Sequence, residues 1–170
     1  MWGVTMKRRS FLGLIGLGGV AAVVPGMVLA RPELNLTRSP DIEPLELSAA
    51  EWRERLTQQQ YAVLREEETE RAGSSPLDKE YGEGEYHCAG CDLLLFTSAM
   101  KYDSGTGWPS FFEHVEGHLL TKTDYFLVFP RTEYHCARCG GHQGHVFEDG
   151  PQPTGLRWCN NGVALKFMAA

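Results

Sequence analysis

Seven residues of this chain occur twice with one substitution: Glu85-Tyr86-His87-Cys88-Ala89-Gly90-Cys91 and Glu133-Tyr134-His135-Cys136-Ala137-Arg138-Cys139, offset by 48 residues. Each copy carries a Cys-x-x-Cys pair. At a tight turn such a pair presents two thiolates to one ion, and two turns complete the four-sulfur tetrahedron that Zn2+ accepts with no open position. The gap between the pairs exceeds ordinary zinc-ribbon spacing, so a metal held by Cys88, Cys91, Cys136 and Cys139 would staple hairpins that are distant in sequence. One structural Zn2+ per chain is therefore expected. A thioredoxin-like redox pair, or two disulfides in an oxidising compartment, are the competing readings. Against a redox pair, both copies lie among short strand patterns and glycine turns instead of at a helix start in an alternating α/β chain. His87 and His135 hold identical places in the repeat and are read as strand-side packing residues, not ligands.

The chain has 170 residues, 42% of them hydrophobic, enough for one core, while two separate domains would each be marginal. Formal net charge is −6. The first thirty residues contribute three positive charges, from Lys7, Arg8 and Arg9, and no acid, so the rest carries −9. A surface that acidic excludes a broad electrostatic grip on nucleic acid.

Lys7-Arg8-Arg9-Ser10-Phe11-Leu12 leads into an uncharged, glycine- and alanine-rich stretch that ends in Val28-Leu29-Ala30. A basic start, an apolar middle and small residues before a cut site make a signal peptide. Paired arginines followed by Ser-Phe-Leu resemble a twin-arginine export signal, which implies the twin-arginine export machinery as a partner, cleavage after Ala30 and a periplasmic protein. The alternative is an uncleaved membrane anchor, for which Pro25 and the internal glycines are poorly suited. Residues 31–47, with Pro32, Pro40 and Pro44, read as a linker or wrap-around arm, and residues 48–170 as the folded domain.

Two capping boxes, Ser48-Ala49-Ala50-Glu51 and Thr57-Gln58-Gln59-Gln60, predict short helices over 49–56 and 58–66. Strand patterns bounded by glycine, proline and aspartate follow at 85–88, 93–97, 110–112, 125–130, 133–136, 142–147, 156–160 and 164–167. The fold class expected is mainly β and antiparallel, a single domain with short amino-terminal helices.

The fifth cysteine, Cys159, is left without a partner, and an odd cysteine in an exported protein is either a buried hydrophobe or a reactive thiol. On a strand, Arg157 and Asn161 would share its face and set a positive charge and an amide beside the sulfur, the arginine favouring thiolate. His142-Gln143-Gly144-His145 adds two imidazoles able to orient a water or protonate a developing oxyanion.

Gly105-Thr106-Gly107-Trp108-Pro109-Ser110-Phe111, the paired Cys-x-x-Cys turns, Gly144-His145-Val146-Phe147-Glu148-Asp149-Gly150-Pro151 and Gly155-Leu156-Arg157-Trp158-Cys159-Asn160-Asn161 together resemble the ordered motif set of B-type methionine sulfoxide reductases, from Ser48 to the carboxyl end. The resemblance implies two facing curved sheets of the zinc-stapled, β-tent-like kind and reduction of methionine R-sulfoxide in oxidised proteins or peptides. Cys159 matches the nucleophile, which becomes a sulfenic acid. Trp108 matches the aromatic against the substrate methyl group, and Phe147 is a further candidate contact. His142, His145 and Asn161 match groups that bind or protonate the sulfoxide oxygen through water. Arg157 matches the residue that tunes the cysteine, and the four paired cysteines match the zinc ligands.

Thr106 stands where many members carry a resolving cysteine. Regeneration is therefore expected from an external thiol, either a thioredoxin-like exported protein or a small thiol, and the protein is expected to be monomeric. Two other readings stay open. One is a zinc-stapled β module that binds a ligand between Trp108 and Trp158 without catalysis. The other is a disulfide oxidoreductase working through its Cys-x-x-Cys pairs.

Overall fold

The computed structural model describes Leu34, residues 36–125 and residues 130–170; the export-signal reading of residues 1–30 lies outside the described residues. Glu33–Ala170 form one compact unit.

Helix α1 (Ala49–Arg55) and helix α2 (Gln58–Glu66) each begin at a reciprocal capping box, Ser48 with Glu51 and Thr57 with Gln60, which satisfies two amide donors at each helix start. They bury Trp52, Val63 and Leu64. Among the described residues no helix is long and apolar enough to cross a membrane.

Among the described residues nine strands follow: β1 (Gly84–Cys88), β2 (Leu94–Thr97), β3 (Lys101–Tyr102), β4 (Ser110–Phe111), β5 (Leu119–Asp124), β6 (Arg131–Cys136), β7 (His142–Phe147), β8 (Arg157–Asn160) and β9 (Leu165–Ala169). They form a three-stranded sheet, β2-β1-β9, and a six-stranded sheet, β3-β4-β8-β7-β6-β5. All pairings are antiparallel.

The core lies where the sheets face each other, because alternate residues of each strand point inward. Phe96, Tyr86 and Phe167 form one cross-strand row of the smaller sheet, and Phe111, Trp158 and Val146 one row of the larger. Phe96 stacks on Phe111 with ring centroids 4.0 Å apart, and Tyr86 meets Phe111 edge-on at 5.0 Å. Trp158 is 1% exposed and packs at 5.0 Å against Tyr134. Burying rings of this size supplies about 2–3 kcal/mol each, the main cohesive force between the sheets.

The sequence placed a strand at 125–130. Residues 126–129 lie outside the described residues, while Tyr125 and Pro130 are not strand. The strand that pairs with β6 in full register is β5, whose Thr121-Lys122-Thr123-Asp124 run is too polar to show by hydrophobic alternation. Residues 36–47 lie along the domain: Ser39 N–H donates to the Gly117 carbonyl at 3.0 Å, Leu45 N–H to the Arg138 carbonyl at 2.7 Å, and Ile42 is buried.

Candidate active site

Cross-strand pairing assembles the site. Reading across the larger sheet, Ser110, Cys159, His145, Glu133 and Lys122 are successive partners on β4, β8, β7, β6 and β5. Directly opposed residues of an antiparallel sheet project to the same face. The same pleat that sends Phe111, Trp158 and Val146 into the core therefore sends Ser110, Cys159 and His145 out of it. Arg157 and Phe147, partners in the adjacent same-face row, lie beside them, with the guanidinium carbon 4.2 Å from the centre of the Phe147 ring.

Regular alternation would put His142 and His145, three residues apart, on opposite faces. The β6–β7 pairing slips by one residue: Tyr134 opposes Gly144, but His135 opposes His142, which leaves Gln143 as a bulge. The two imidazoles thus meet at 5.6 Å between ring centroids. His142 Nδ1 donates to Glu133 at 2.8 Å, and its Nε2 is buried with no hydrogen-bond partner among the described residues. His145 Nε2 lies 2.8 Å from Asp124, which also receives Arg131 at 2.6 Å.

Trp108, His145, Phe147, Cys159 and Asn161 line one cavity of about 120 Å3, together with Thr69, Arg131, Gly144 and Asn160. His142 lines a larger adjoining cavity of about 490 Å3, which shares Thr69, Arg131 and His145 with the first. Of the catalytic and substrate-contact candidates, Trp108, His145, Phe147, Cys159 and Asn161 line the thiol cavity, His142 lines the adjoining one, and Arg157 lies against Phe147 beside them.

Asn161 is not on β8, which ends at Asn160. Its side-chain oxygen accepts from Glu70 N–H at 3.0 Å and its amide donates to the Gln143 carbonyl at 3.0 Å, which leaves its second amide N–H without a partner among the described residues. Glu70 also accepts the Trp108 indole N–H on its carbonyl at 3.2 Å, and its carboxylate receives Gly162 and Val163 N–H at 2.6 and 2.9 Å. One buried glutamate thereby positions both Trp108 and Asn161.

Charge around the sulfur runs both ways. Burial pushes the Cys159 thiol up, against the pull of Arg157 and of hydrogen bonds from Thr106 and Arg157. The arginine does favour thiolate, as its position in the sequence suggests, but desolvation outweighs it and the resting group is a thiol. Part of the reason is that Arg157 is already bound bidentately by Asp149, at 2.7 and 2.9 Å. Burial holds His145 below its ordinary value despite Asp124. Glu133 is raised by burial but lies lower overall, through its bond to His142 and the charges of His142 and Lys122.

Sequence reading missed Glu133, Asp124, Asp149 and Glu70, each an ordinary acid until the tertiary fold places it. Its alternative of a ligand cage between Trp108 and Trp158 does not form, since Trp158 belongs to the buried core face.

The four paired cysteines converge at the turns that follow β1 and β6. All four are buried and unbridged, with their sulfurs within 4.8 Å of one another. The Cys88 and Cys139 sulfurs are 3.7 Å apart, and those of Cys91 and Cys136 3.5 Å. A tetrahedron of thiolates around Zn2+ has edges of about 3.8 Å, whereas bonded sulfurs lie at about 2.0 Å, so the set fits a metal ion and not two disulfides. Arg55 and Arg65 of the helices donate to the Gly90 and Cys139 carbonyls at 2.7 and 2.9 Å and hold both turns.

Comparison with known proteins gives first a class and then closer relatives. The SelR domain family matches residues 56–169. The chain is 45% identical over 136 residues to peptide methionine sulfoxide reductase B1, chloroplastic, of Arabidopsis thaliana, covering 79% of this chain and 67% of that protein. It is 48% identical over 122 residues to peptide methionine sulfoxide reductase MsrB of Leptospira interrogans (71% of this chain, 93% of that protein), and 51% identical over 121 residues to the MsrB of Agrobacterium fabrum (71% and 90%). The chain belongs to the SelR family, that of the B-type peptide methionine sulfoxide reductases.

Proposed function

We propose that this protein is a peptide-methionine (R)-S-oxide reductase in which Cys159 is the nucleophile. The observation that carries the assignment is the thiol cavity, where one half-buried cysteine faces two aromatic side chains and an imidazole. Membership of the family supplies the reaction and its preference for the R epimer.

The residues divide the work by chemistry. Trp108 and Phe147 offer an apolar wall to the methyl end of the substrate. His145, with His142 and the free N–H of Asn161, supplies the proton and hydrogen bonds that make sulfoxide oxygen a better leaving group. The Cys159 thiolate, favoured by the charge of Arg157, attacks the sulfoxide sulfur. Oxygen passes to Cys159, methionine leaves, and the cysteine becomes a sulfenic acid. One external thiol then displaces water to form a mixed disulfide, and a second thiol releases Cys159, so two thiols are oxidised for each sulfoxide reduced.

The second cysteine of that cycle comes from outside because Thr106 occupies the resolving position and the four paired cysteines fit a metal. Zn2+ is the ion that donor set suits; when bound it supplies a cross-link between the two turns and takes no part in the redox steps. The basic, apolar and small-residue pattern of residues 1–30 supports export through the twin-arginine machinery to the periplasm, where a thioredoxin-like protein or small thiol is the reductant. The test is a single turnover without reductant: a sulfoxide peptide should yield one equivalent of methionine and a dimedone adduct on Cys159. An adduct on any other cysteine, or none with methionine still formed, overturns the assignment.

A further inference from the structure

The cavity of about 490 Å3 beside the thiol cavity is walled mostly by acids. Glu66, Glu67 and Glu68 bring carboxylates in succession from the carboxyl end of α2, and Asp124 and Glu133 add theirs from β5 and β6. Carboxylates at that end of a helix meet its partial negative charge, so the helix itself gains nothing from the run. The cations nearby are already committed. Arg131, on the same wall, pairs with Asp124 at 2.6 Å, and Lys122 reaches Glu67 at 2.5 Å and Glu133 at 3.3 Å. Glu66 and Glu68, both exposed, have no ion-pair partner among the described residues.

A second, independent observation points to a ligand. His142, on the wall of this cavity, is 2% exposed, and its Nε2 has no hydrogen-bond partner among the described residues. Its Nδ1–H is spent on Glu133, so the neutral ring presents a lone pair on Nε2 that only a hydrogen-bond donor satisfies. An anion would be repelled by that lone pair and by the carboxylates together. A cation bearing N–H groups answers both, directly or through the water it carries. Thr69, Arg131 and His145 line this cavity and the thiol cavity alike, so a molecule with its sulfoxide against Cys159 can extend into both. We propose that the acidic cavity is a subsite for a lysine or arginine side chain flanking the oxidised methionine, held by Glu66 and Glu68 and facing Nε2 of His142. The inference rests on the sulfoxide reductase reading and names the substrate class of that site: methionine sulfoxide in basic surroundings, with acidic flanks disfavoured by the same charges.

The experiment compares short blocked peptides in which methionine R-sulfoxide is flanked on both sides by Lys, Gln or Glu, reduced by the full chain with dithiothreitol at low ionic strength. For the wild type, kcat/KM of the Lys peptide should exceed that of the Glu peptide by about thirtyfold, with Gln between, the difference residing in KM and shrinking as salt is added. Glu66→Gln/Glu68→Gln should cut the ratio to about fivefold. Glu43→Gln/Glu46→Gln removes the same charge from exposed positions outside the cavity and should leave the ratio within about twofold of the wild type. Equal kcat/KM for the three peptides, or a ratio that survives Glu66→Gln/Glu68→Gln or falls equally in both double variants, overturns the subsite and leaves the reductase reading in place. The same peptides titrated onto Cys159→Ser protein separate the two failures: a Lys preference in binding, where the wild type reduces none of the three, would support the subsite and remove the assigned reaction.

Discussion

Gly144 on β7 runs so close to Cys159 on β8 that a Cβ on the glycine would fall 1.9 Å from the Cys159 carbonyl oxygen. The contact is with backbone, which cannot rotate away, so any side chain there must push the strands apart. Gly144→Ala should cost about 2–4 kcal/mol of stability. It should also lower kcat/KM at least tenfold, because the same pairing holds His145 opposite Cys159. Chemical denaturation and steady-state kinetics on the variant check both figures; an unchanged midpoint would mean that β7 and β8 are not held at this spacing.

Arg157 and Asp149 should act on the thiol with opposite signs. The arginine lowers the Cys159 midpoint and Asp149 raises it, against a background in which burial dominates. Arg157→Met should shift alkylation of Cys159 upward by roughly one pH unit or more, and Asp149→Asn should shift it downward. Shifts of the same sign in both variants would show that the pair acts only by holding the loop.

Buried imidazoles set an acid limit on stability. Burial lowers His114 and His145 in the folded protein from the 6.5 of a free side chain. The unfolded chain therefore binds these protons more readily, and the unfolded state gains as pH falls. Stability from these two groups is complete above about 6.5 and declines as pH drops through and below that value. Denaturation midpoints measured between pH 8 and 5 should fall toward the acid end, and His145→Gln should flatten part of the slope.

The four-sulfur set should behave as a staple. Cys139→Ser leaves three thiolates and should lower Tm by more than about 10 °C, with loss of bound metal, and a strong chelator should do the same to the wild type. Gln143 carries the consequence inward: its amide donates to the Cys88 sulfur at 3.4 Å, and its oxygen accepts from Asn160 at 3.3 Å, next to the nucleophile. Retained Tm after complete metal removal would make the cluster dispensable.

Sequence carried the site unevenly, for physical reasons. Spacing alone marked Cys88, Cys91, Cys136 and Cys139, because metal ligands at tight turns need little context. The capping boxes at Ser48 and Thr57 marked both helix starts, because caps are local. Period-two alternation placed Arg157 and Cys159 on one face but could not foresee that β8 stops before Asn161, nor that a bulge at Gln143 would bring His142 to the face of His145. The acids Glu133 and Asp124 were invisible because only sheet register sets them beside their partners, and Asp149 and Glu70 because loops outside any strand bring them to Arg157 and Asn161. Strand β5 was overlooked for the same reason: Lys122 pairs with Glu133 across the ladder and at 3.3 Å through its side chain, a stabilisation that hydrophobic patterning does not register.

The measurement closest to the central claim is reduction of the separated R and S epimers of a methionine sulfoxide peptide with dithiothreitol, for wild type and Cys159→Ser, with metal content assayed on both. The account predicts turnover of the R epimer alone by the wild type, and an inactive Cys159→Ser protein that still binds one equivalent of zinc. Equal reduction of both epimers, or activity that survives in Cys159→Ser, would contradict it.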